Sequence, residues 1–287
     1  MLAMPAMNHE LQALRKSMAQ IVSNPADLAA GDAKSAGVDL APFQIDRIRS
    51  VDDPLFAIGY AALWAEFGAK DEMELRETLD QRFRLAPRIL SEMILLRRAG
   101  EFVAVRDHTA IVAGGGVVVH LSHNLIAPNA RRTGLAGWLR AWPIQTAREC
   151  LATNGAADDA PVTLIAEMEY EMADDAAREI RLRAYERGGF RKIDPAVVRY
   201  FQPDFRAFEE IDATGGARPL AFQLVVRRVG REGEETISGR EVRGLVRALY
   251  AIFAPPFRAA DLAHPLLALD RLPPDDAVIA LLLPTQC

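Results

Sequence analysis

The stretch "MILLRRAGEFVAVRDHTAIVAGGGVVVHLSHNLIAP", residues 93–128, holds three runs rich in valine, isoleucine and leucine. Only "RAGE" and Gly114-Gly115-Gly116 part them. Connections that short join antiparallel neighbours, because parallel strands need a crossover of about a dozen residues or more. The chain is therefore committed to an antiparallel meander at its centre, with both faces to be covered by whatever flanks it.

The flanks read as helices and further strands. Leu11, Leu14, Met18 and Ile21 share a helical face, which predicts a first helix over residues 8–22. "SNPADLAAGDAKSAGVDLAP" is small and polar and reads as a linker. A strand over "FQIDRIRSV" leads to Asp52-Asp53-Pro54, an N-cap and a proline at a helix start, and Phe56, Tyr60, Leu63 and Phe67 repeat until Gly68. A further helix is expected over residues 72–83. Beyond the meander, Leu135, Trp138, Leu139 and Trp142 share one helical face, and Pro143 should kink or end that helix. "PVTLIAEMEYEM" is a strand. Asp174 or Asp175 caps the next helix, which stops at Gly188-Gly189. "AVVRYF" and "LAFQLVVRRV" complete the strands. A capping box from Ser238 to Glu241 opens a tail helix carrying Val242, Leu245, Val246 and Leu249, which Pro255-Pro256 ends.

Helices interrupt this sheet instead of alternating with every strand. The expected class is α+β (mixed α/β): a central, mainly antiparallel sheet flanked by helices, with an N-terminal helix and a C-terminal helical extension. The expected divisions are residues 1–42, 43–229 and 230–287. A net charge of −5 lacks the basic surplus of a nucleic-acid binder. No apolar run is long enough to span a bilayer, and the first residues lack a secretory pattern. Cys150 and Cys287 stand far apart with no C-x-x-C partner, which fits a reducing cytoplasm and supports no zinc site.

One junction points to chemistry. In "NLIAPNARRTGLAGWLRAW", residues 124–142, an apolar strand turns into a helix through two arginines, Thr133 and Gly134. Amide groups at such a turn have no intrahelical acceptor and suit an anion. Gly134 and small Ala136 permit close approach, and Arg131, Arg132 and Thr133 add donors fit for a pyrophosphate. Neither a Walker lysine nor a G-x-G-x-x-G after a strand is present, so a nucleoside triphosphate or Rossmann dinucleotide fits less well.

"IAPNARRTGLAGWL" resembles the acetyl-coenzyme A motif of the GNAT N-acetyltransferase superfamily, with Arg131, Gly134 and Ala136 on its three defining positions. "RAYERGGFRKI", about fifty residues on, resembles that family's second signature, and the order of elements over residues 43–229 is similar too. Arg132 stands where many members carry glycine, Arg178 where many carry asparagine, and Pro143 is unusual in that helix, which marks a divergent member. The resemblance implies an acyl-CoA-dependent N-acyltransferase, moving an acetyl group from acetyl-CoA directly to a small or peptidic amine. It implies no acyl-enzyme and no metal. A non-catalytic acyl-CoA-binding or regulatory module is the alternative. The cofactor set becomes Leu125, Ile126, Arg131, Arg132, Thr133, Gly134, Leu135 and Ala136, with the amide of Leu125 or Ile126 facing the oxyanion. Tyr185 matches the acid that protonates the coenzyme A sulfur, a task within a phenol's reach.

The base has two candidates. His120 lies on the strand before the motif, where some members place a glutamate, and imidazole accepts a proton near neutral pH. His123, three residues on, should face the other side of the strand, which argues against a paired metal site. Glu167, Glu169 and Glu171 share a strand face, which makes either an acidic wall for a cationic amine, with Glu169 as the carboxylate that relays its proton, or a solvent-facing edge paired with the arginines of the next helix. Arg178, Arg181, Arg183 and Arg187 form a basic helix that either reaches a phosphate or faces solvent. The tail helix could also serve a homodimer interface. Neither a nucleic-acid nor a membrane partner is expected.

Overall fold

The computed structural model describes residues 21–170 and 176–286. The expected first helix, apart from its last two residues, lies outside them, as do Glu171, Asp174 and Asp175.

The strands are β1 (Gln44–Ile48), β2 (Ile89–Arg98), β3 (Glu101–Ala113), β4 (Gly116–Ile126), β5 (Val162–Glu169), β6 (Arg191–Ile193), β7 (Tyr200–Gln202), β8 (Leu220–Arg228), β9 (Thr236–Ser238) and β10 (Val278–Leu282). They form one sheet in the order β1-β2-β3-β4-β5-β8-β6-β10-β9, with β7 also beside β8. Among the described residues every pairing is antiparallel except β4 with β5. The fold is thus mixed α+β with a largely antiparallel sheet flanked by helices, as expected.

On one face lie α1 (Phe56–Phe67), α2 (Arg76–Phe83) and α7 (Gly239–Phe253). On the other lie α3 (Leu135–Ala141), α4 (Pro143–Thr153) and α5 (Ala176–Arg187). Two short helices, α6 (Phe208–Ala213) and α8 (Ala259–Leu267), complete the set. Phe56 and Leu63 of α1 bury against Met93, Leu95 and Val105. Trp138, Leu139 and Trp142 cover Ile94, Leu96 and Ala104 from the opposite side. Pro143 does break the helix, and it sits in the first turn of α4, where its missing N–H leaves no acceptor short. Among the described residues no helix is long and apolar enough to cross a membrane.

Two stretches differ from expectation. The tail was read as a helical extension, yet β10 pairs with β6 inside the sheet and with β9 beyond it. Strands of three and five residues are too short to declare themselves by alternation. The capping box does form, with Ser238 Oγ accepting from Glu241 N at 3.2 Å. The helix it opens buries Val242, Leu245, Val246 and Leu249 against Val118, Ile165 and Leu224. At its first residue, a Cβ on Gly239 would lie 1.9 Å from the Pro274 carbonyl oxygen. Gly239→Ala is therefore expected to destabilise the fold by about 1–3 kcal/mol through overpacking. Gly244→Ala, where a Cβ meets nothing within 4 Å, should instead stabilise by up to about 1 kcal/mol. Urea unfolding of both variants tests this, and a common sign would refute the steric account.

The expected linker is the second difference. Short 3-10 turns at Pro25–Asp27 and Ala30–Gly37 lay it as a strap over α3, α4 and the end of α5. Asp32 accepts from Arg140 Nε at 2.9 Å, and Asp27 accepts from Arg148 at 2.6 and 2.8 Å. Arg227 Nη1 donates to the Asp27 carbonyl at 2.9 Å. Small residues, which suggested flexibility, allow the strap to lie flat: a Cβ on Gly31 would fall 2.2 Å from Arg187 O.

Candidate functional site

The only parallel pairing among the described residues covers only part of its two strands. β4 and β5 are in register from Val117↔Val162 to His120↔Ile165 and then part, although β4 runs on to Ile126 and β5 to Glu169. What remains between them is a gap lined by backbone.

A bulge lies at its start. Thr109 faces His120 and Asp107 faces His123, so β4 spends one more residue than β3 over this interval. Paired residues share a face, and Thr109 and Asp107, two apart, share one as well. His120 and His123 therefore project to the same side, contrary to the alternation expected from sequence. His123 packs on Phe67 of α1 with ring centroids 4.9 Å apart, and His120 meets Phe253 of α7 at 5.3 Å.

Beyond the bulge, Ala127 N donates to Val103 O at 2.9 Å and His123 N to Asp107 Oδ1 at 2.8 Å. Backbone amides alternate sides along a ladder. Leu125 accordingly turns its amide to β3, and Ile126 turns its own to the gap. Of the two amides considered for an oxyanion, only that of Ile126 faces the gap.

The loop at the mouth of the gap holds itself in shape. Arg131 Nε donates to Ile126 O at 3.1 Å and Thr133 Oγ1 to Ala130 O at 2.7 Å. Gly134, at φ 94°, begins α3 in a left-handed conformation that glycine tolerates, and Arg132 sits at φ 64°. The amide groups of Arg132, Thr133, Gly134, Leu135 and Ala136 meet no acceptor among the described residues. Those amides are the anion-binding capacity of the loop. The glycine side of it, however, is occupied: Ser35 Oγ donates to Gly134 O at 2.7 Å, and a Cβ on Gly134 would lie 2.6 Å from Val38 Cγ2. The strap thus supplies part of the reason for glycine here.

The remaining expected residues do not form one cluster. Tyr185 on α5 is half-buried, edge-on to Phe190 at 4.8 Å. His120 is 2% exposed, with Nε2 2.9 Å from Glu167 Oε2 and Nδ1 3.3 Å from Ser122 Oγ. Burial alone would raise the Glu167 carboxyl, but His120 and a 2.9 Å bond from Gln202 hold it below its usual range. Under Phe253, His120 is closed to an incoming amine. Glu169 is half-exposed and takes Arg181 Nη2 at 2.8 Å, while Arg183 pairs with Glu179, so those two arginines of the basic helix serve neighbouring carboxylates.

Sequence reasoning missed Glu72. It lies ahead of α2 at the open end of the gap, and its carbonyl accepts from His123 Nε2 at 2.8 Å. Partial burial raises its carboxyl above the usual range, and the nearby charge of Glu169 adds to the rise. A carboxyl pushed upward beside a second carboxylate suits proton transfer at a surface that attracts cations. In the sequence it stood only as the start of an expected helix.

No family model and no curated protein matches the chain. Among solved structures it is similar to the Arabidopsis thaliana Naa50 complex with a bisubstrate analogue, at 10% identity and a TM-score of 0.38, over 65% of this chain and 99% of that one. It is also similar to a GNAT family acetyltransferase from Elizabethkingia anophelis with acetyl-CoA bound, at 13% and 0.37, over 66% and 99%. A third likeness is to a GCN5-related glucosamine N-acetyltransferase region of a fungal multi-domain protein, at 18% and 0.37, over 60% of this chain and 20% of that one. The chain thus spans a fifth of the fungal protein's length. At such scores these are likenesses only, and the site is read from its own geometry.

Proposed function

We propose that the chain is an acyl-CoA-dependent N-acyltransferase that moves an acyl group from coenzyme A directly to an amine, with acetyl-CoA as the reference donor. One observation carries this reading: the β4–β5 gap opens beside a loop whose five consecutive amides meet no acceptor among the described residues. A pyrophosphate suits those amides, and the gap accepts an extended arm between two strands.

Within that frame the chain's own groups divide the work. The Ile126 amide faces the place where negative charge develops on the thioester oxygen. Glu169 draws the cationic amine in, and Glu72 takes its proton and so frees the nitrogen lone pair for attack. The amine nitrogen bonds to the carbonyl carbon, the carbon–sulfur bond breaks with its electron pair on sulfur, and Tyr185 protonates the thiolate, the proton that the new amide nitrogen sheds returning to the phenol through water. His120 supports the sheet under α7 in this scheme and takes no proton from the amine. The alternative, a non-catalytic acyl-CoA-binding module, draws on the strap seated against Gly134 and Gly137.

Thermal unfolding with acetyl-CoA, CoA, NAD and ATP tests the donor. A ligand at about a hundred times its Kd stabilises by roughly 2.7 kcal/mol, and that shift is expected for the two coenzyme A species alone. Tyr185→Phe is expected to lower kcat about a hundredfold with donor binding unchanged. Binding without turnover of any amine, and no effect of Tyr185→Phe, would establish the alternative.

A further inference from the structure

Arg106 is the most conspicuous unspent group in the molecule. It lies in the middle of β3, is 0% exposed, and its Nε, Nη1 and Nη2 have no hydrogen-bond partner within 3.5 Å among the described residues. Its cross-strand neighbour on β4 is Asn124, whose Oδ1 is likewise buried without a partner. Both belong to the α3–α5 face, and Asn124 lies within the part of β4 that has left β5. The Tyr185 phenol is near enough to act on the guanidinium both electrostatically and as a hydrogen-bonding neighbour.

An isolated buried cation is costly, and a partner removes most of that cost. The acids around it are engaged elsewhere. Asp107 is held by His123 at 3.0 Å, Asp32 by Arg140, and Glu92 by Arg47 and Arg49. Arg140 is a further positive charge on the same face. Among the described residues no carboxylate is left to pair with it, and an anion on a ligand would fill that place. Its position narrows the choice: Arg106 is on the opposite face from His123, which holds the Glu72 carbonyl, and it sits beside Tyr185, the acid proposed for the coenzyme A sulfur. That is the sulfur and acyl end of the donor.

We propose that the acyl group transferred by this chain carries a carboxylate, as in the monothioester of a dicarboxylic acid, and that Arg106 and Asn124 receive that carboxylate. The proposal rests on the acyl-CoA reading. A guanidinium grips a carboxylate through two parallel bonds, and the Asn124 amide, whose oxygen and nitrogen ends exchange by a flip, turns its NH2 to the same group. A site built around such a pair rejects a donor that lacks the matching charge, because its own buried groups then stay unpaired.

The test is calorimetric titration of the full chain with CoA, acetyl-CoA and succinyl-CoA, for the wild type, Arg106→Met and Arg106→Lys. The wild type is expected to bind all three, succinyl-CoA about a hundredfold more tightly than acetyl-CoA. Arg106→Met should keep its affinity for acetyl-CoA, lose the preference and unfold at a higher temperature, since a buried charge has gone. Arg106→Lys, which keeps the charge without the fork, should keep part of the preference. Equal wild-type binding of acetyl-CoA and succinyl-CoA overturns the proposal and leaves the acyl-CoA reading standing. Equal weakening of all three by Arg106→Met also overturns it and assigns the guanidinium to a phosphate of coenzyme A. Binding of none of the three overturns the acyl-CoA reading and this proposal together.

Discussion

Glu92→Gln is expected to destabilise the fold by about 3–5 kcal/mol, the usual cost of breaking a buried ion pair from one side. Glu92 is 1% exposed on β2 and accepts from Arg47 Nε at 2.8 Å and Arg49 Nε at 2.9 Å. It also accepts from the Thr146 hydroxyl and lies 3.3 Å from His108 Nε2. Glu149 on α4 answers the same two arginines, so two acids and two guanidinium groups tie α4 to β1 and β2. Glutamine keeps the size and removes the charge, leaving Arg47 buried with only half its compensation. Burial works against the Glu92 charge, but His108 and the two arginines hold its carboxyl well below the ordinary range. Its contribution is therefore present above the unfolded carboxyl's value and is lost as pH falls toward the folded one. Urea unfolding of both proteins at neutral and at acid pH measures this. A neutral-pH loss below about 1 kcal/mol would mean that the network stabilises no more than a surface pair does.

Raising the pH from 6.5 to 9 should weaken the fold through His123. Burial favours the neutral ring, but the Asp107 charge and hydrogen bond, with the Glu72 carbonyl, raise its pKa from 6.5 to about 9. The unfolded chain releases that proton near 6.5 and the folded chain only near 9. The stabilisation is complete below the lower value and disappears as pH rises through the upper one. Its size is roughly 3 kcal/mol, from the linkage of pKa to stability. Urea unfolding across this window should show the decline in the wild type and a nearly flat line in His123→Gln. Parallel slopes in the two proteins would remove His123 as the cause.

Local patterns were legible and non-local ones were not. The meander from Met93 to Pro128, the break at Pro143 and the Ser238 cap each depend on residues a few positions apart, and each is found as expected. The bulge at β4 carries no glycine to announce it, so alternation put His123 on the wrong face. The strap has the composition of a linker, and only the distant Arg140, Arg148 and Arg227 make it part of the body. Of the candidate site, the loop at 131–136, the Ile126 amide and Tyr185 were reachable from sequence through the motif resemblance. Arg106 could not, because in sequence it is one polar residue in an alternating strand, and its lack of a partner is a property of the assembled fold. Glu72 was hidden for a related reason: its partners, Glu169 and His123, arrive from strands far along the chain.

The extra residue in β4 makes parity a local quantity. Odd and even positions exchange sides between His120 and His123, so one strand obeys two opposite rules along its length. Losing or gaining a single residue there would leave the amino-terminal half of the strand in place and send the side chains of His123, Asn124 and Leu125 to the faces they now avoid. Asp107 would lose its imidazole, and Arg106 its amide neighbour, without any of the four being substituted. For this chain, length at one point of one strand is as specific as residue identity.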